Sequence, residues 1–290
     1  MLSQPLGSTA YTMLNTLGAV VALLFTILSI LFERWRRRKA NPPTSLLHDY
    51  NPFYHLKKDM RRKPNSVFLL LCYVVAYLAL MQGISLTGIL FNFAKVGSRT
   101  LLLGGGVNYA SGVLIFFGVF LLCAKLFPGN GKPTQQLEFV MPALALAHIF
   151  NRMACFLGGC CFGIPCPFGV HYPDSAPASA IYGAGERIFP NQPIESFIML
   201  LCFVLLLVLR ARGKRTLPIF PLVFGATGFL LGFVMDHSYE YLKPMFGFTY
   251  PTPFTHLLVF FVGVVFLLLV MREKKKVSAA QEAQALEQSG

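Results

Sequence analysis

Runs of mainly apolar residues recur along this chain, separated by short polar connections rich in glycine, proline or basic residues. A helix needs about 20 such residues to cross a hydrocarbon layer of about 30 Å. The runs at 14–32, 67–91, 101–127, 137–156, 193–209, 217–235 and 254–271 therefore predict seven membrane-spanning helices. The expected fold class is an all-α integral membrane protein. Its seven-span membrane domain occupies residues 1–271, with a long outer loop at about 158–192 after the fourth span. Residues 272–290 are polar and rich in Ala and Gln, and are expected to form a disordered cytoplasmic tail. The first run has no small-residue cleavage site and exceeds a signal-peptide core in length, so it is read as a retained span.

Composition agrees with a lipid solvent. Hydrophobic residues make up 55% and charged residues 13%, with a mean hydropathy of +0.59. Soluble domains carry about 25% charged residues, so too few polar groups are present to cover a water-facing exterior. The net charge of +13 is informative through its distribution. Segment 33–66 holds ten Lys and Arg residues. Two more follow the third run, four the fifth and four the seventh, whereas the opposite loops hold only Lys95, Arg99, Arg187 and Lys243. This bias predicts an outer N-terminus and a cytoplasmic C-terminus. The cations thus mark topology and contact with anionic lipid headgroups rather than nucleic acid.

An ionisable group within a span costs roughly 2.5 to over 10 kcal/mol unless paired or hydrated. The fourth run holds two, His148 and Arg152, four residues apart and hence on one helix face. Arg152 admits two readings: a structural guanidinium that snorkels or pairs with an internal carboxylate, or one that grips a phosphate or carboxylate in a cavity. Gly158 and Gly159 then stop the helix, and Gly163 closes the turn; such a turn either packs or offers free amides to an anion. Cys155, Cys160, Cys161 and Cys166 lie within twelve residues. They suggest an outward-facing Cys160–Cys166 or Cys161–Cys166 disulfide or a reactive Cys160. A metal cluster is disfavoured because no CxxC pair is present, with His171 the only added ligand. No metal or other cofactor is therefore expected. Glu195 stands near the start of the fifth span, either as a partner of the helix terminus or as the counter-charge of Arg152. Asp236, His237 and Glu240 crowd the outer end of the sixth, where Asp236 and Glu240 share a face if the helix continues.

These segments together resemble the prolipoprotein diacylglyceryl transferase family. Residues 151–163 (NRMACFLGGCCFG) are similar to its GR-x-G-(N/C)-F-x-x-G-(E/C)-x-x-G signature, and 167–173 (PFGVHYP) to the P-W-G-x-x-F-P stretch that follows. Residues 189–195 (FPNQPIE) resemble H-P-(S/T)-Q-L-Y-E. Fainter matches begin at Tyr11, at the glycine-rich stretch 105–112 and at 225–244. Their order covers nearly the whole chain. Departures occur at Asn151, at Cys155 and Cys160, at Ala110 with Tyr109 beside it, at Phe189 and at Asp236.

What this resemblance implies is transfer of a diacylglyceryl group from phosphatidylglycerol to the lipobox cysteine of a prolipoprotein in the bacterial inner membrane, with release of glycerol 1-phosphate. It assigns catalytic roles to Arg152, Glu195 and Glu240, and His148 joins them as the ionisable residue on the same helix face as Arg152. The substrate-binding positions it implies are Tyr11, Tyr109, Cys155, Gly158, Gly159, Cys160, Gly163, Gln192, Asp236 and His237. His148, His171 and His237 remain open as bases. Two other readings stay beside it: a membrane thiol–disulfide oxidoreductase, or a non-catalytic relative that binds anionic lipid.

Overall fold

A computed structural model describes residues 4–40, 71–80, 109–126, 133–174, 176–236 and 251–289. The elements in chain order are α1 (Gln4–Ala40), α2 (Leu71–Leu80), α3 (Tyr109–Leu126), α4 (Pro133–Leu137), α5 (Met141–Gly158), β1 (Pro165–His171), α6 (Pro177–Tyr182), β2 (Arg187–Ile188), α7 (Asn191–Ala211), α8 (Ile219–Leu231) and α9 (Pro251–Ser289). Four of these helices contain stretches long and apolar enough to cross a membrane: Met13–Phe32, Met141–Gly158, Asn191–Ala211 and Thr252–Lys275. Shorter apolar helices fall at Leu71–Leu80, Tyr109–Lys125 and Ile219–Leu231, inside the other three expected runs. The molecule is a mostly helical, multi-pass membrane protein.

Local differences from the sequence pattern have physical causes. The fourth run breaks at residues 138–140, so that α5 starts only at Met141, with Pro142 in its first turn, where a missing N–H leaves no bond unmade. The polar segment after residue 271 continues α9 as helix to Ser289. Its Ala, Glu, Gln and Lys residues are strong helix formers. α8 ends at Leu231, so Asp236 does not lie on that helix. Glu240 and His237 themselves fall outside the described residues. The segment between α5 and α7 also departs from an all-α description, because β1 and β2 pair antiparallel through Val170–Ile188 and His171–Arg187.

The exposed side of α1 shows the solvent for which this fold is built. Met13, Leu17, Val20, Leu24, Leu28 and Leu31 recur at helical spacing along one exposed face, and Phe197, Leu200, Leu201, Val204 and Val208 do the same on α7. Continuous apolar faces of this kind suit lipid and not water. α5 is the most enclosed of the long helices, with 56% of its apolar window buried against 17% for α1, 28% for α7 and 33% for α9. It packs against α1, α7 and α8, while α8 lies along α9. Buried rings of Tyr73, Tyr109, Phe116, Phe120, Phe220 and Phe224 fill the space between helices.

A second, smaller core lies under the segment between α5 and α7, formed by Phe162, Tyr172, Ala176, Ala178 and Ile188. At the opposite end of α7, Arg215 bridges two elements. Its Nε meets Glu138 before α5, and its Nη1 lies 2.6 Å from Glu273 Oε2 on α9. The loop after α7 is thereby fastened to both neighbouring helices.

Candidate active site

α5 presents His148 and Arg152 one turn apart towards α7, and α7 returns Glu195 between them. The Glu195 carboxylate divides its oxygens: Oε1 lies 2.7 Å from His148 Nε2, and Oε2 lies 2.7 Å from Arg152 Nε. All three are buried, with side-chain exposures of 0% for His148, 9% for Arg152 and 1% for Glu195. A buried charge without a partner is strongly unfavourable, so the pair explains how the fourth run tolerates a guanidinium. No side-chain bond caps the N-terminus of α7. Glu195 therefore acts as the counter-charge of Arg152 and not as a cap.

The triad leaves hydrogen-bonding capacity unused. The Arg152 Nε–H is close to Glu195 but has no aligned acceptor among the described residues, and His148 Nδ1 has no partner there either. With Nε2–H donated to Glu195, Nδ1 carries the imidazole lone pair. Aromatic rings fix the His148 plane. Tyr109 lies 4.7 Å away by ring centroids, and Phe224 of α8 also lies 4.7 Å away. The Tyr109 hydroxyl donates to Leu144 O at 3.1 Å, so this expected substrate residue sits inside the bundle as a support for His148.

Beyond Arg152 the helix ends at Gly158, and the chain reverses through Gly159 in the left-handed region, at φ 64°. The Gly159 and Cys160 amides donate back to Phe156 O and Cys155 O. Cys161 also has a positive φ, 57°, which is uncommon for a residue with a Cβ. The turn gathers the Cys155, Cys160 and Cys161 sulfurs within 4.8 Å of one another. Thiol donors from Cys155 and then Cys160 hold the Cys161 thiol well below the usual thiol range, helped by the Arg152 guanidinium. All seven cysteines are free thiols. Neither expected disulfide to Cys166 is present, because Cys166 lies on β1 outside the cluster.

The remaining expected positions divide between this centre and its supports. Tyr11 of α1 lies over Gly158, its ring carbon 3.6 Å from where a Cβ would stand. Gln192, at the start of α7, donates to Cys160 O at 2.6 Å and accepts from the Tyr172 hydroxyl at 2.9 Å, fastening the cysteine turn to α7. Gly163 is wedged against Phe189, where a Cβ would come within 2.7 Å of the Phe189 Cβ. Asp236 donates its amide to Phe162 O at 2.9 Å, and its side chain hydrogen-bonds Tyr182, placing it beside the smaller core. His171, a possible base, is exposed on β1.

A model of the prolipoprotein diacylglyceryl transferase family matches residues 53–270. The chain belongs to this family. A similar curated protein is a phosphatidylglycerol–prolipoprotein diacylglyceryl transferase of Clostridium tetani, 29% identical over 177 residues, with 50% of this chain and 68% of that protein covered. A second, "phosphatidylglycerol–prolipoprotein diacylglyceryl transferase 2" of Clostridium perfringens, is 28% identical over 107 residues, covering 35% of this chain and 40% of that protein. The chain is thus a member of a transferase family, and the matched span contains both the triad and the cysteine turn.

One residue in this diacylglyceryl transferase family member escaped sequence reasoning. His256 on α9 is buried, lies with its ring centroid 4.8 Å from that of Phe224 in a tilted contact, and is within electrostatic reach of Glu195. Its signal was available, since it too is an ionisable residue near one end of an apolar run. Asn151 likewise joins α5 to α1 through Asn15 at 3.0 Å.

Proposed function

We propose that this chain transfers a diacylglyceryl group from phosphatidylglycerol to a prolipoprotein's lipobox cysteine, in the inner membrane of a bacterium. The observation that carries this reading is the buried Glu195 carboxylate shared by His148 and Arg152, in a chain whose family match spans 53–270. The seven-helix topology, outer N-terminus and cytoplasmic C-terminus are part of the proposal and rest on the basic-loop bias.

The reaction requires a proton acceptor for the thiol and stabilisation of a departing phosphate. The acceptor thiol gives its proton to His148 Nδ1, whose basicity Glu195 supports through Nε2. The sulfur attacks the terminal glyceryl carbon; a C–S bond forms as the bond from that carbon to its phosphoester oxygen breaks, the oxygen staying on phosphorus. Glycerol 1-phosphate leaves with the electron pair. Arg152 meets the growing charge on the phosphate by charge-assisted hydrogen bonds in a low-dielectric setting. Glu195 keeps the guanidinium oriented and balanced while no lipid is bound. Catalytic roles for Glu240 and a binding role for His237 stay within the same reading.

The test combines the purified chain with phosphatidylglycerol and a lipobox peptide. Equal amounts of glycerol phosphate and of peptide heavier by one diacylglyceryl group are expected. Saturable lipid binding with neither product would instead establish a non-catalytic lipid-binding protein.

A further inference from the structure

The three thiols at the end of α5 are not used in the transfer chemistry proposed above. Cys155 comes from the last turn of α5, whereas Cys160 and Cys161 are carried back to it by the left-handed turn at Gly159. Their sulfurs lie within 4.8 Å of one another. Zinc–sulfur bonds of about 2.3 Å in a tetrahedral site put sulfurs about 3.8 Å apart, so closing the shell from 4.8 Å takes adjustments of at most about an ångström. A disulfide demands a far larger collapse, to about 2.05 Å.

We propose that Cys155, Cys160 and Cys161 form a three-thiolate site for a thiophilic divalent cation, Zn2+. Three further features fit that class of ligand. The donors are soft, and thiolate selects Zn2+ over oxygen-seeking cations. The charge is matched: three thiolates and Zn2+ carry one net negative charge, and the Arg152 guanidinium interacts electrostatically with both Cys155 and Cys161. The backbone is committed to the arrangement, since Cys161 is held at φ 57° and Gln192 pins the Cys160 carbonyl at 2.6 Å. Each coordinating thiol releases its proton to solvent as the metal binds. Three protein ligands leave the fourth tetrahedral position to water or an incoming thiol, the open arrangement of reactive zinc sites.

The site stands independently of the transfer reaction, because metal binding is scored with no lipid or acceptor present. The full chain, purified in detergent, reduced and freed of metal, is titrated with Zn2+ against a chromophoric chelator and, separately, with Co2+. One Zn2+ per chain is expected, together with sulfur-to-cobalt charge-transfer bands. Zn2+ is also expected to shield Cys155, Cys160 and Cys161 from maleimide, as mapped by mass spectrometry. Cys161→Ser and Cys155→Ser lower affinity by more than the roughly 10–100-fold typical of losing an outer-shell partner, while Cys166→Ser and Cys202→Ser bind as the parent does. Zinc bound undiminished by the Cys161→Ser variant, shielding of other cysteines, or uptake of Cu+ alone overturns the assignment. Shielding in the unsubstituted chain decides the matter even if a variant fails to fold.

Discussion

Glu195 on α7 and His148 on α5, 47 residues apart in sequence, meet at 2.7 Å with both side chains buried. That contact turns two helices into a single chemical unit, because the same carboxylate also holds Arg152. It makes Glu195 answerable for both stability and activity, and the two effects separate experimentally.

Glu195→Gln removes the counter-charge while conserving volume. Arg152 is then left buried and uncompensated, at a cost of about 3–5 kcal/mol. A lower unfolding temperature in detergent and loss of transfer are expected together. The double variant Glu195→Gln with Arg152→Met recovers much of the stability and none of the activity. Thermal unfolding and product release measured on the same samples check this.

Arg152→Lys keeps a cation but loses the planar fork. Transfer is expected to fall about 10²–10³-fold, as when a single oxyanion donor is lost, with a far smaller change in stability than in Glu195→Gln. Initial rates of glycerol phosphate release give the answer.

His148→Gln keeps a hydrogen bond to Glu195 but removes the base. A fall of about 10²–10⁴-fold in transfer is expected, with phosphatidylglycerol binding retained. Equal losses in binding and turnover would contradict the role assigned to Nδ1.

The glycines of the turn differ. Gly159 lies at φ 64°, and a Cβ there meets Ala176 at 3.0 Å, whereas at Gly158 the nearest neighbour is 3.6 Å away, in ordinary contact. Gly159→Ala should cost about 1–2 kcal/mol, and Gly158→Ala much less. Chemical denaturation of the two variants side by side tests the difference.

Much of this architecture was legible in the sequence, because membrane spans are written as length and hydropathy. His148, Arg152 and Glu195 were also legible, since charge inside an apolar run has few explanations and α7 begins within two residues of the expected position. What could not be read was set by backbone geometry. The absence of a CxxC pair argued against a metal site, yet the reversal at Gly159 brings together thiols spaced five and one residues apart. The strand pairing between α5 and α7 was hidden because Pro165 and Pro167 mask β1 as irregular chain. His256 carries the same signal as His148, an ionisable side chain within an apolar run.

The most direct measurement compares the unsubstituted chain with Arg152→Ala in lipid vesicles containing phosphatidylglycerol and a lipobox peptide, following released glycerol phosphate and peptide mass together. The unsubstituted chain should yield both products in equal amounts, and Arg152→Ala neither. Transfer at an undiminished rate by Arg152→Ala would contradict the claim that this guanidinium meets the lipid's phosphate.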